Sequence, residues 1–271
     1  MARVSVITDS SACLRPSVTR DTPLQVVPIS IHVPTRDLRD DDPEAAGTVY
    51  EQLDKGEAVK SSAPSPLDYL AVAEETEGDA LIITPATEFT VMYRHAEAAA
   101  KIARVPVAVV DSRTAAAAQG LVVLAACEAA AADVPLEDVV SAAETAARGA
   151  ELVAALDGLE ALRRSGHVQS VLLDVSDGIG LVPVFRLHAG AVQQLDLVGS
   201  REDALHRIKT EAQTLGWART ARSMVFHAFA RDQADHLSGL LGGAGDVAEF
   251  SPSMGIHTGP GVVGVAWLRP S

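Results

Sequence analysis

The sequence predicts an α/β protein of two domains. The first, residues 1–150, is a three-layer α/β/α domain on a parallel sheet; the second, residues 151–271, is a two-layer α+β domain on a mostly antiparallel sheet. Three observations carry this. Through the first half, short and nearly continuous apolar runs alternate with helical segments, as strands covered on both faces of a parallel sheet do. Beyond about residue 150, strand-like runs follow one another with few helices between them, which suits a mixed or antiparallel sheet with helices on one face. A length of 271 residues is enough for two cores of ordinary size.

Val4–Thr8 is the first apolar strand, and it ends in Asp9-Ser10-Ser11; Leu14 and Val18 then recur at helical spacing. Leu24–Val33 is the second strand, which Pro28 either places at a sheet edge or bends. Thr35–Asp42 is densely charged and reads as a solvated loop. Val49, Tyr50 and Leu53 mark a short helix. Ser65-Pro66 followed by Asp68 then opens another, with a hydroxyl N-cap, proline at the first helical position and an acid in the first turn. Ser61 and Ser62 therefore lie just ahead of a helix start, where free N–H groups and the macrodipole favour an anion.

Ala80–Thr84 and Pro106–Val110 are the third and fourth strands. The helix after the third carries Phe89, Met92, Tyr93 and Ala96 on one face. The alanine- and valine-rich segment 114–132 is interrupted by Gln119, Gly120 and Glu128, so it is a buried helix and not a membrane span. Leu136–Arg148 is helical. Strands follow at Leu152–Leu156, Val171–Val175, Gly180–Leu187, Ala191–Val198, Ser223–Phe229, Asp246–Phe250 and Gly261–Leu268. His188-Ala189-Gly190 is a hairpin turn between two of them, and the long helices here are Arg201–Leu215 and Asp232–Leu241.

Composition removes several classes of function. With 36 acidic and 22 basic residues the chain lacks a nucleic-acid footprint and any long-range attraction to anionic membranes. An anionic ligand must therefore be held by local hydrogen bonds. Cys13 and Cys127 are isolated in apolar contexts, which predicts buried thiols without a disulfide or a metal site. No phosphate-binding glycine motif follows a strand, so no nucleotide cofactor is expected. Met1 runs directly into a strand without a signal-like segment, which predicts a cytoplasmic protein with no stable membrane insertion.

What does follow the strands is hydroxyls: Asp9-Ser10-Ser11, Thr84 to Thr90, and Asp111-Ser112. In open α/β sheets ligands sit outside the carboxyl ends of the strands, so this rim is lined with neutral donors. His257-Thr258-Gly259-Pro260-Gly261 reads as a tight loop beside the last strand, offering an imidazole, a hydroxyl and close backbone approach. A turn with a bystander histidine fits the same five residues. Ser10, Ser11 and Ser112 also fit plain N-caps, and Arg201 either contacts a ligand or caps a loop. Asp9, Ser10 or Ser11, and His257 permit a serine-hydrolase reading, although Gly-x-Ser-x-Gly is absent.

Taken together, the chain resembles the DegV family of bacterial lipid-binding proteins over essentially its full length. The resemblance rests on Asp9-Ser10-Ser11 after the first strand, Val27-Pro28-Ile29, Ser61-Ser62-Ala63-Pro64-Ser65 and Val110-Asp111-Ser112 with Gly120. It continues through Leu159 to Gly166, Arg201 after a strand, and His257-Thr258-Gly259-Pro260-Gly261. It implies one long-chain fatty acid buried in a tunnel between the domains, its carboxylate on Ser61, His257 and Thr90. It also implies a partner, a separate ATP-binding fatty-acid kinase subunit, and no catalytic residue in this chain. The candidate ligand-binding set is Ser10, Ser61, Ser62, Thr90, Arg201, His257, Thr258 and Gly259. The chain departs from the family pattern at Phe89-Thr90-Val91-Met92-Tyr93, where a glycine is missing, at His167, where the family has an arginine linked to the kinase, and at Val182, where it has a lysine. A lipid or small-amphiphile sensor without a kinase is the alternative to the carrier.

Overall fold

The computed structural model describes residues 4–14, 22–158, 180–217, 222–243 and 245–269. Four parallel strands form the N-terminal sheet: β1 (Val4–Asp9), β2 (Leu24–Val27), β6 (Asp79–Thr84) and β7 (Val107–Asp111), in the order β2-β1-β6-β7. The chain first runs outward from β1 to β2 and later returns across β1 to β6, so the strand order reverses between β1 and β6. Open α/β sheets bind ligands at such a point.

Alternation along the strands explains the layers. Val4, Val6, Leu81 and Ile83 face helices α4 (Ala116–Ala131) and α5 (Leu136–Gly149). Ile7, Ala80 and Ile82 face α2 (Pro66–Glu74) and α3 (Met92–Ala100). Both faces are dry, which is why these strands read as unbroken apolar runs.

The C-terminal sheet has six strands in the order β10-β9-β8-β13-β11-β12: β8 (Ala150–Ala155), β9 (Val182–His188), β10 (Ala191–Val198), β11 (Ser223–His227), β12 (Asp246–Glu249) and β13 (Val263–Leu268). All neighbours are antiparallel except β11 and β12. One face packs on α6 (Arg201–Thr214) and α7 (Arg231–Leu240), through Val153, Val184 and Val265 against Ile208 and Leu237. The other face sends Leu152, Phe185 and Phe226 against Ala117, Ala118 and Leu121 of α4. Eleven of the sixteen residues of α4 are buried, because its remaining apolar face is already in the N-terminal core with Val122, Val123 and Cys127. Cys13 and Cys127 are both buried free thiols. No helix among the described residues is long and apolar enough to cross a membrane.

Three expectations change. Leu24–Val33 is not one strand: β2 stops at Val27 and β3 (Ser30–Val33) starts after Pro28, which has no N–H to continue the ladder. β3 leaves for a small antiparallel sheet, β4-β3-β5, with β4 (Arg36–Arg39) and β5 (Lys60–Ser62); α1 (Ala45–Asp54) packs on it through Val49. The charged run Thr35–Asp42 is therefore part strand, and Asp40 is buried at 8% exposure, not solvated. The segment at His257 is not a loop: α8 (Pro252–Thr258) runs through it and ends at Gly259, whose φ is +75°. The expected strand Val171–Val175, the Leu159 to Gly166 motif, His167 and Val18 lie outside the described residues.

Candidate functional site

β5 pairs with β3 so that Ile31 lies opposite Ser61. Adjacent strand residues point to opposite faces, and this separates the two serines. Ser62 Oγ turns to the exposed side and lies 2.8 Å from His32 Nε2. Ser61 turns inward, where its Oγ lies 3.0 Å from His257 Nε2 at the carboxyl end of α8. Both residues are partly buried.

The pair forms part of the wall of two cavities. One, of about 930 Å³, lies along the carboxyl ends of β1, β6 and β7 and reaches the β9–β10 hairpin. Phe89, Met92, Leu187, Val192 and Met254 make its lining largely apolar, and Ser11, Thr90 and Ser253 add hydroxyls. The other, of about 950 Å³, is lined by Tyr50, Leu53, Val59, Phe229, Ile256 and Pro260, with Asp54, Glu57 and Lys60. Phe229 is a large exposed aromatic held at φ +53°, with its ring centroid 4.4 Å from that of Tyr50.

The helix that carries His257 is fixed by Asp40. Its carboxylate accepts from Ser253 N at 2.7 Å and Ser253 Oγ at 2.6 Å, near the start of α8. It also accepts from Ser10 Oγ at 2.6 Å, and Ser10 Oγ in turn accepts from Ile29 N at 3.0 Å. Ser10 is thus a strut joining the end of β1, the start of β3 and α8. Ser11 points the other way: its N–H donates to Asp9 Oδ1 at 3.0 Å and its hydroxyl to the same oxygen. Gln119 Nε2 adds a bond to Asp9 Oδ2 at 3.3 Å. Complete burial nevertheless pushes the Asp9 carboxyl up to about 6, against the lowering effect of those bonds.

Thr90 lines the cavity of about 930 Å³, and its Oγ1 accepts from Met92 N at 3.3 Å at the start of α3. Thr258 Oγ1 donates back to the Met254 carbonyl at 3.2 Å, while Gly259 lines the second cavity. Arg201 donates to the Gly261 carbonyl and lies 2.9 Å from Asp157 Oδ1, so it braces the turn after α8; burial lowers its pKa. The structure therefore brings together Ser61, Thr90 and His257 around one cavity and leaves Ser10, Ser62 and Arg201 in supporting contacts. Sequence reasoning missed Ser253 and Asp40. The signal for Ser253 was present, since Ser251-Pro252 has the same cap-and-proline form as Ser65-Pro66.

A family model described as an uncharacterised protein of the DegV family matches residues 3–270. The chain belongs to the DegV family. Among DegV relatives, a DegV domain-containing protein of Streptomyces coelicolor is 29% identical, the match covering 97% of each chain. A DegV domain-containing protein of Listeria innocua is 23% identical over 98% of each. A solved DegV family protein from Thermus thermophilus, described by its fatty-acid binding, superposes with a TM-score of 0.89 at 24% identity, covering 99% of this chain and 100% of that one. A stearic acid-binding protein from Eubacterium ventriosum superposes with a TM-score of 0.87 at 18% identity, covering 99% and 98%. At these identities the likeness establishes the DegV fold, with its parallel N-terminal and mostly antiparallel C-terminal sheets.

Proposed function

We propose that this chain binds one long-chain fatty acid between two domains that meet near residue 150, as a non-catalytic carrier in the cytoplasm. The acyl chain lies in the cavity of about 930 Å³ and the carboxylate on Ser61 and His257, with Thr90 as a third hydroxyl. The single observation that carries this reading is the Ser61–His257 pair, a hydroxyl and an imidazole set together into the wall of a largely apolar cleft. A cleft of this size and lining suits a small amphiphile. The fatty acids named for the Thermus and Eubacterium proteins supply the ligand class.

The energetics are consistent. Each buried methylene contributes about 0.8 kcal/mol, so a long tail binds tightly to a protein of net charge −14. Charge-assisted bonds to the head group add about 1.5–3 kcal/mol each and fix its position. The second cavity reaches the same pair, and it is the route by which an ATP-binding kinase subunit would meet the carboxylate. Ser10, Ser62, Arg201, Thr258 and Gly259 support this site without touching the head group.

Protein purified from a bacterial host should carry a fatty acid that denaturing extraction and mass spectrometry identify. Empty protein that also takes up no added lipid would overturn the proposal. A hydroxyl 3.0 Å from an imidazole is also the contact a serine nucleophile needs, so ester hydrolysis is the competing reading. Turnover of a fluorogenic ester that disappears in Ser61→Ala and His257→Ala would favour it over the carrier.

A further inference from the structure

Across the cleft, the carboxyl ends of β6 and β7 are joined to the β9–β10 turn by one compact set of bonds. Arg113 Nη2 donates to Glu88 Oε1 at 2.9 Å and to the Ala189 carbonyl at 2.7 Å. The backbone completes the link, with Gly190 N donating to the Arg113 carbonyl at 2.6 Å. Arg113, Ala189 and Gly190 hold φ values of +51°, +52° and +80°. Two of the three carry side chains that disfavour this region, so the contacts around them hold the backbone there. Gly190 packs directly on Glu88, where a Cβ would come within 2.8 Å of three carboxyl-group atoms.

Glu88, Arg113, Ala189 and Gly190 all line the cavity that contains Ser61 and His257. Strand order separates the two groups. Arg113 follows β7 at one edge of the N-terminal sheet, whereas Ser61 belongs to the small sheet that continues from β2 at the other edge. Three strand spacings of about 4.8 Å put those edges about 14 Å apart. The cleft thus has a hydroxyl–imidazole pair towards one edge and a charged clasp towards the other.

We infer that the Glu88–Arg113–Gly190 clasp is the length-determining wall of the acyl site. This rests on the fatty-acid reading above. Each methylene buried short of the clasp strengthens binding about fourfold. A methyl terminus that reaches it meets an ion pair and offers neither partner a hydrogen bond, so a longer chain must desolvate those charges or stay partly outside. Affinity therefore climbs with chain length up to the clasp and then levels off.

The test is a competition-binding series of saturated fatty acids from lauric to behenic acid, on the full chain. Arg113→Ala removes both side-chain bonds, and the double variant Glu88→Gln, Arg113→Met removes both charges while keeping much of the shape; the second decides if the first does not fold. The expected result is that the variants bind the longest acids about tenfold or more tighter than the parent does, with the shortest unchanged within about twofold. Variants that keep the parent's chain-length profile while the parent binds fatty acid would overturn the clasp's role and leave the binding reading standing. A parent that binds no acid in the series would overturn both.

Discussion

Ser61 Oγ lies 3.0 Å from His257 Nε2, although 196 residues separate the two in sequence. β5 presents one and the last turn of α8 the other, so the contact closes only when the small sheet and α8 are seated together. Removing either partner should weaken fatty-acid binding by roughly 1.5–3 kcal/mol, or about 10- to 150-fold. Because the two side chains touch, the double variant Ser61→Ala, His257→Ala should lose less than the sum of the single losses. Titration calorimetry of the three variants checks this; strict additivity would mean that the two groups do not share one carboxylate.

Asp40 is the anchor of α8. Asp40→Ala would leave Ser253 N, Ser253 Oγ and Ser10 Oγ without their acceptor in a buried setting, and each such loss costs about 1–3 kcal/mol. Denaturant unfolding should show a loss of at least about 2 kcal/mol, and lipid affinity should fall as His257 loses its fixed position. Asp40→Asn keeps one acceptor oxygen and should fall between the two.

Asp9 imposes a pH dependence of unusual sign. Its carboxyl is raised in the folded state to about 6 from 3.8 because burial penalises the charge. Between those values the folded chain binds more protons at this site than the unfolded chain, so the group's contribution to stability falls as pH rises from about 4 to about 6. Above that it is constant. Asp9→Asn removes this dependence. Its stability relative to the parent should rise by on the order of 2–3 kcal/mol between pH 4 and pH 7, read by denaturant unfolding at each pH.

Gly120 lets α4 lie on the turn after β1. A Cβ there would sit 2.5 Å from the Ala12 carbonyl oxygen, which is backbone and cannot rotate away. Gly120→Ala should therefore destabilise the protein by about 1–3 kcal/mol despite the better helix propensity of alanine. A thermal midpoint equal to or above that of the parent would contradict this packing.

The layered fold was legible because burial on both sheet faces writes continuous apolar runs into the sequence. The small sheet was not, since β4 is charged on its exposed face and only Leu38 of its four residues is buried. Asp40 was hidden in the same way: a carboxylate among five other charges gives no sign that it alone turns inward. At His257 the glycines and proline suggested a loop, but the glycines end a helix that Pro252 had begun. The candidacy of Ser61 and His257 came from a hydroxyl ahead of a helix start and an imidazole among glycines, and the family likeness then joined them. Their contact needed the register of β5 on β3, which no local pattern specifies.

A last consequence concerns α4, whose apolar surface is divided between the two cores. Swinging the C-terminal sheet away would strip a stripe of alanine and leucine side chains of α4 bare to water, at a cost that grows with every square ångström uncovered. The sheets are therefore mechanically one block. Any ligand of the cleft is then exchanged by moving the loops around it, and the exchange rate is a property of those loops.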